Sequence, residues 1–129
     1  MQKLVAAAVA ILCLQCHAKC TNVEVPISGS VLRSDGTPIA GAVVVVSYIK
    51  YGVAESEVIY SSAAGRYSTT IHWDPISPAK ATQEMYACDG KLSSVTIKAI
   101  ARGFEAMRKV VELSDGSVNA TLRLDWRRE

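Results

Sequence analysis

The chain is poor in aromatic residues and in histidine. Tyr, Trp and Phe make up 6% of the 129 residues, with a single Phe, and the histidines are His17 and His72. Scarce histidine argues against metal sites built from clustered imidazoles. His72 has Trp73 and Asp74 beside it but no G-x-S-x-G elbow to serve. An excess of one charge is also missing, since 14 Lys and Arg stand against 12 Asp and Glu. The balance therefore gives no case for nucleic acid or an anionic membrane as partner. After residue 20 no stretch keeps a helical period long enough for a long helix, and no phosphate-binding glycine loop occurs. The apolar run Leu4–Leu14 is about half of the ~20 residues that span a bilayer.

That run contains the most suggestive motif. Residues 13–17 read CLQCH, the C-x-x-C-H pattern of covalent haem attachment. Its setting points elsewhere. Lys3 precedes the apolar run, and Cys16-His17-Ala18 offers a small-residue cleavage site, the layout of a secretory signal peptide. The expectation is a signal peptide over residues 1–18, removed together with the motif, and no cofactor. Gln15 and Lys19 precede Cys16 and Cys20 where a lipobox wants a small residue, which argues against a lipid anchor. Residues 19–129 then form one small domain, secreted or periplasmic, with no integral membrane segment. Cys20 and Cys88 survive as an even pair, and an oxidising compartment suggests one disulfide between them.

The remaining pattern has period two. Val23, Val25, Ile27, Gly29 and Val31 alternate with more polar neighbours, and Asp35-Gly36 signals a turn. Ala42–Val46 is a β-branched run that reads as a strand buried on both sides. Ser56–Ser61, then Tyr67, Thr69 and Ile71, give two further strands around a turn at Gly65. Val95, Ile97, Ala99 and Ala101 alternate, residues 104–113 resume after Gly103, and Val118, Ala120, Leu122 and Leu124 close the series. The expected fold is all-β, an antiparallel sandwich of about seven strands. At most one short helix is expected, in 73–91, with Ser77 as N-cap and Pro78 at its first position.

At this point the chain resembles a known family, the carboxypeptidase regulatory-like domain, a transthyretin-like or prealbumin-like sandwich with Ig-like Greek-key connections. The resemblance rests on ISGSVLRSDGTPIAGAVVVVS, SSAAGRYSTTI, VTIKAIARGFEAMRKVVEL and ATLRL, over about residues 23–125. It implies a non-catalytic module with a structural or protein-interaction role. The alternative it brings is a carbohydrate-binding module, since starch-binding-like domains have related sandwiches and Trp73, Tyr86 and Trp126 offer rings for sugar stacking. Hydroxyisourate hydrolase also has this fold, but the chain ends DWRRE and lacks that family's Tyr-Arg-Gly-Ser tail.

No catalytic or metal residue is expected. Glu55 and Glu57 share one strand face without an evident third ligand. The candidate binding segment is 73–91, a long connection carrying Trp73 and Tyr86. Its partner is expected to be an unidentified protein or glycan.

Overall fold

A computed structural model describes residues 21–74, 77–78, 86–87, 91–113 and 116–128. Strand β1 is Val23–Arg33, β2 is Val43–Lys50, β3 is Val53–Tyr60 and β4 is Arg66–Trp73. Two-residue strands follow, β5 (Ser77–Pro78) and β6 (Tyr86–Ala87), paired with each other. Then come β7 (Ser94–Ile100), β8 (Met107–Glu112) and β9 (Val118–Leu124). The chain divides into two units, Val23–Trp73 with Lys91–Glu129, and Met1–Asn22 with Asp74–Gly90. The short β5–β6 ladder belongs to the second of these.

The larger unit holds two sheets, one ordered β4-β1-β9 and the other β3-β2-β7-β8. The two-residue period of the sequence becomes one shared core. Val25, Ile27 and Val31 of β1, Ile71 of β4 and Leu122 and Leu124 of β9 meet Val44 and Val46 of β2 and Val95 and Ile97 of β7. Alternate side chains point to opposite faces of a strand, so the residues between these face away from the core. Tyr67 and Phe104 are buried in the same cluster.

Three expectations need correction. The sandwich is not wholly antiparallel, because β1 pairs parallel with β9, Ile27 opposite Val118 through Arg33 opposite Leu124. Alternation sets which face is buried and is blind to strand direction. The Ala42–Val46 run is not buried on both sides either: Val44 and Val46 are buried, whereas Val43 and Val45 are half-buried on the outer face. Finally, Ser77 and Pro78 lie in a strand rather than capping a helix. Proline at an edge pairs there without needing an N–H. Residues 79–85, where the helix was expected to continue, lie outside the described residues, as do residues 1–18, where a signal peptide was expected, and Cys20 and Cys88. Among the described residues no helix is long and apolar enough to cross a membrane.

Two backbone positions shape the larger unit. β2 and β3 are joined by Tyr51 and Gly52, both in the left-handed region with φ of 50° and 80°. That conformation matches the strand twist in a two-residue hairpin. In β1, Gly29 is opposite Tyr67 on one side and Ala120 on the other. A Cβ at Gly29 would run into the Ala120 carbonyl and would lie 2.5 Å from the Tyr67 hydroxyl. The missing side chain lets that hydroxyl donate to the Ala120 carbonyl oxygen at 2.6 Å, tying β4 to β9 across β1. Burial pushes the Tyr67 phenol up to about 12.

Gly29→Ala is therefore expected to lower unfolding free energy by about 2–3 kcal/mol through overpacking. Tyr67→Phe is expected to lower it by about 0.5–1.5 kcal/mol by removing the buried hydrogen bond to the Ala120 carbonyl. Urea titration checks both. The raised phenol pKa adds a pH dependence. The folded state favours the protonated phenol, so its contribution is complete below pH 10, the ordinary tyrosine value, and is lost as the pH rises towards 12. Urea midpoints measured from pH 9 to 12 should fall less steeply for Tyr67→Phe than for the parent.

Candidate functional site

The outward positions of sheet β4-β1-β9 carry a distinctive set of side chains. Ser68, Ser28 and Asn119 form one row across the three strands, and Arg66, Ser30 and Thr121 form the row two residues along. Such rows lie about 7 Å apart, and neighbouring strands about 4.8 Å. Ser28, Ser30, Arg66, Ser68 and Asn119, with Ser62 from the turn before β4, line an open cleft of about 600 Å³, and Gly29 and Tyr67 complete its wall. The turn is held by Ser62, whose carbonyl accepts from the Gly65 N–H and whose hydroxyl accepts from the Arg66 N–H at 3.2 Å. Hydroxyls and an amide supply donors and acceptors in the cleft, one guanidinium supplies positive charge, and no carboxylate lines it.

The residues singled out from sequence lie elsewhere. Trp73 ends β4 and is 4% exposed; its ring meets Tyr48 edge-on at 6.2 Å and Tyr51 at 5.8 Å, with the Lys50 ammonium 6.0 Å from its centre. The Tyr86 side chain is outside the described residues. Trp126 is 57% exposed and stacks on Phe104 at 4.2 Å, under the Arg33 guanidinium. Trp73 and Trp126 thus belong to separate clusters. His72 is exposed on β4, its Nδ1 3.7 Å from Glu24 Oε1. Sequence reasoning missed the cleft. Its one visible trace was the polar half of each alternating strand, and only the parallel β1–β9 register shows that Ser28 and Asn119 are neighbours.

No protein-family model matches the sequence, and no curated protein does. Solved structures do match. The chain resembles chlorocatechol 1,2-dioxygenase from Pseudomonas putida with a TM-score of 0.56 and 15% identity, over 83% of this chain and 61% of that one. It resembles catechol 1,2-dioxygenase from Pseudomonas arvilla C-1 with a TM-score of 0.61 and 13% identity, over 88% and 55%. For 3-chlorocatechol 1,2-dioxygenase from Rhodococcus opacus 1CP the values are 0.60 and 9%, over 86% and 62%. At these identities the likeness shows the fold. The chain spans less than two thirds of the length of each.

This finding overturns the family resemblance drawn from the sequence. The fold is that of the catechol dioxygenase sandwich, not a carboxypeptidase regulatory-like, transthyretin-like or Ig-like Greek-key domain. The motifs misled for a physical reason. Gly36, Gly65 and Gly103 all hold left-handed backbone, with φ of 92°, 75° and 85°, and a turn glycine records the turn rather than the family. What depended on that family falls with it: the non-catalytic structural or interaction module, its carbohydrate-binding alternative, and the expectation that the chain is not an enzyme. The solved structures sharing this fold are enzymes. The secreted or periplasmic placement is withdrawn on the same likeness.

Dioxygenase chemistry requires a centre that handles O₂, such as non-haem iron, haem, copper or flavin. The common non-haem iron site uses two histidines and a carboxylate. Among the described residues no three His, Cys, Asp or Glu side chains come together, and His72 is the one histidine. The Tyr67 hydroxyl is already committed to Ala120. This donor set does not fit a metal centre of that kind.

The two tryptophan environments give a testable contrast. Trp73→Ala is expected to lower stability by about 3–5 kcal/mol, as for other large core truncations. Trp126→Ala should cost about 0.5–1.5 kcal/mol, the worth of an exposed aromatic pair. Thermal melts of the two variants beside the parent check the order.

Proposed function

We propose that the chain takes part in the oxidation of aromatic rings, and that its cleft on sheet β4-β1-β9 captures a small hydroxylated aromatic acid. The observation that carries this reading is the cleft lining: four serine hydroxyls, one amide, one guanidinium and no carboxylate. A phenolic hydroxyl both donates and accepts, and Ser28, Ser68 and Asn119 answer it in one row. A ring carboxylate suits Arg66, whose planar fork binds carboxylates in bidentate fashion and also stacks on aromatic faces. The spacing of the two rows suits a single substituted ring. The reading is further supported by the names of the solved relatives, which act on catechols. The oxygen-handling part of such a reaction is not assigned to the described residues.

Calorimetric titration of the full chain with catechol, benzoate and 3,4-dihydroxybenzoate tests the reading. The dihydroxybenzoate, which engages both rows, is expected to bind at least tenfold more tightly than either of the others. Arg66→Gln should remove that advantage over catechol, a loss of about 1.5–3 kcal/mol for a charge-assisted hydrogen bond. The paired change Ser28→Ala and Ser68→Ala should weaken both phenols and leave benzoate unchanged. Equal affinity for all three ligands, or no saturable binding, would sink the assignment.

A further inference from the structure

The four-stranded sheet ends in two open strands of opposite charge. Among the described residues nothing pairs with the outer side of β3 or of β8. β3 carries Glu55 and Glu57, while β8 carries Arg108 and Lys109 near its start and Glu112 at its end, a net positive strand against a negative one. These charges lie in shared rows. Glu57 is opposite Val46, Val46 opposite Ile97, and Ile97 opposite Lys109, so acid and base mark the two ends of one line across the sheet. The next row runs Val58, Val45, Lys98, Arg108.

Strand direction fits as well. Every neighbour in the order β3-β2-β7-β8 is antiparallel, so β3 and β8 point opposite ways. A second copy displaced sideways by one sheet width would bring its β8 antiparallel to β3 of the first, with no slip along the strands. Lys109 of that copy would then face Glu57, with Glu55 diagonal to it. Arg108 would lie beside Val58 and diagonal to Tyr60, which are 56% and 67% exposed.

We propose that the chain assembles head to tail with further copies of itself, β3 of one copy pairing with β8 of the next. Charge at an edge strand commonly serves to prevent pairing. Here it opposes the pairing of β3 with itself, which sets Glu55 and Glu57 beside their own kind and is destabilising for charges directly opposite. β8 against β8 attracts only in a register that sets Arg108 opposite Glu112. The mixed edge attracts with no slip along the strands, Lys109 opposite Glu57. A heterologous contact of this kind leaves a free β3 and a free β8 at the ends. Sheet twist turns each added copy relative to the last, so the product is a helical array or a ring.

Sedimentation velocity of the full chain across a concentration series tests this. In about 0.02 M salt the mean mass should rise continuously with concentration, and about 0.5 M salt should return it towards monomer through screening. Glu57→Lys and Lys109→Glu should each be monomeric at concentrations where the parent assembles at least tenfold. Mixing the two variants should restore assembly, because each then offers the edge the other lacks. The same recovery is expected of the double reversal in one chain, and Glu55→Lys provides a second single variant that leaves the Glu57–Thr69 hydrogen bond intact. A monomeric parent at every concentration, a dimer that stops growing, or failure of the mixture to recover would each overturn the proposal.

Discussion

The Tyr67 hydroxyl reaches across β1 to the Ala120 carbonyl, 2.6 Å away, because Gly29 has no side chain to stand between them. The bond joins three strands that lie far apart in sequence. It also consumes the polar end of a phenol that is otherwise buried, which is what makes a tyrosine tolerable in that position. Its consequences extend to the opposite face. With Gly29, Tyr67 and Ala120 in one inward row, the period of two sends Ser28, Ser30, Arg66, Ser68 and Asn119 outward together. The cleft is thus the reverse side of a packing constraint. A one-residue slip of β1 against either neighbour would dismantle both at once.

The other sheet is held differently. Ser61, the one buried polar side chain described, donates to the Ile39 carbonyl at 2.7 Å and accepts from the Ala42 N–H at 2.8 Å. Backbone bonds between Ser61 and Ala42, and from the Gly41 N–H to the Ser61 carbonyl, complete the clasp where β2 begins and β3 ends. With that end fixed and the Tyr51–Gly52 hairpin closing the other, the β2–β3 register leaves no freedom. The face on which Glu55 and Glu57 project is set by this register, as is the row that Glu57 shares with Lys109. The charge pattern of the edges therefore inherits the rigidity of the hairpin.

The sequence made some of this legible. Alternation marked the core side chains Val25, Ile27 and Val31 and those of Val118–Leu124, because burial on one face leaves a period of two whatever the topology, but Val23 at the strand's start is exposed. Asp35-Gly36 was legible as a turn, and the Asp35 carboxylate does accept from the Thr37 N–H and hydroxyl, which holds its pKa below the usual value. What stayed hidden was everything that depends on which strands meet. The parallel β1–β9 pair, the role of Gly29 and the gathering of serines into one cleft involve residues up to about ninety positions apart. The valine run misled because β-branched residues suit a strand in general, and half-buried Val43 and Val45 differ from buried Val44 and Val46 only by register.

The family assignment failed for a related reason. A sandwich backbone asks little of its side chains: apolar residues at alternate positions, glycines where φ is positive, and a few buried hydrogen bonds. Many sequences satisfy this, which is how a TM-score near 0.6 accompanies 13% identity. Chemistry asks more, because a metal needs particular donors at particular distances. Likeness of backbone therefore carries the fold across and leaves the chemistry to the side chains present. Here those side chains are hydroxyls, an amide and one guanidinium on an outer sheet face, a set that offers directed hydrogen bonds to the ring substituents of the ligand proposed above. The specificity of such a site resides in which side chains share a row, and that register is what the Tyr67–Ala120 bond across Gly29 ties together.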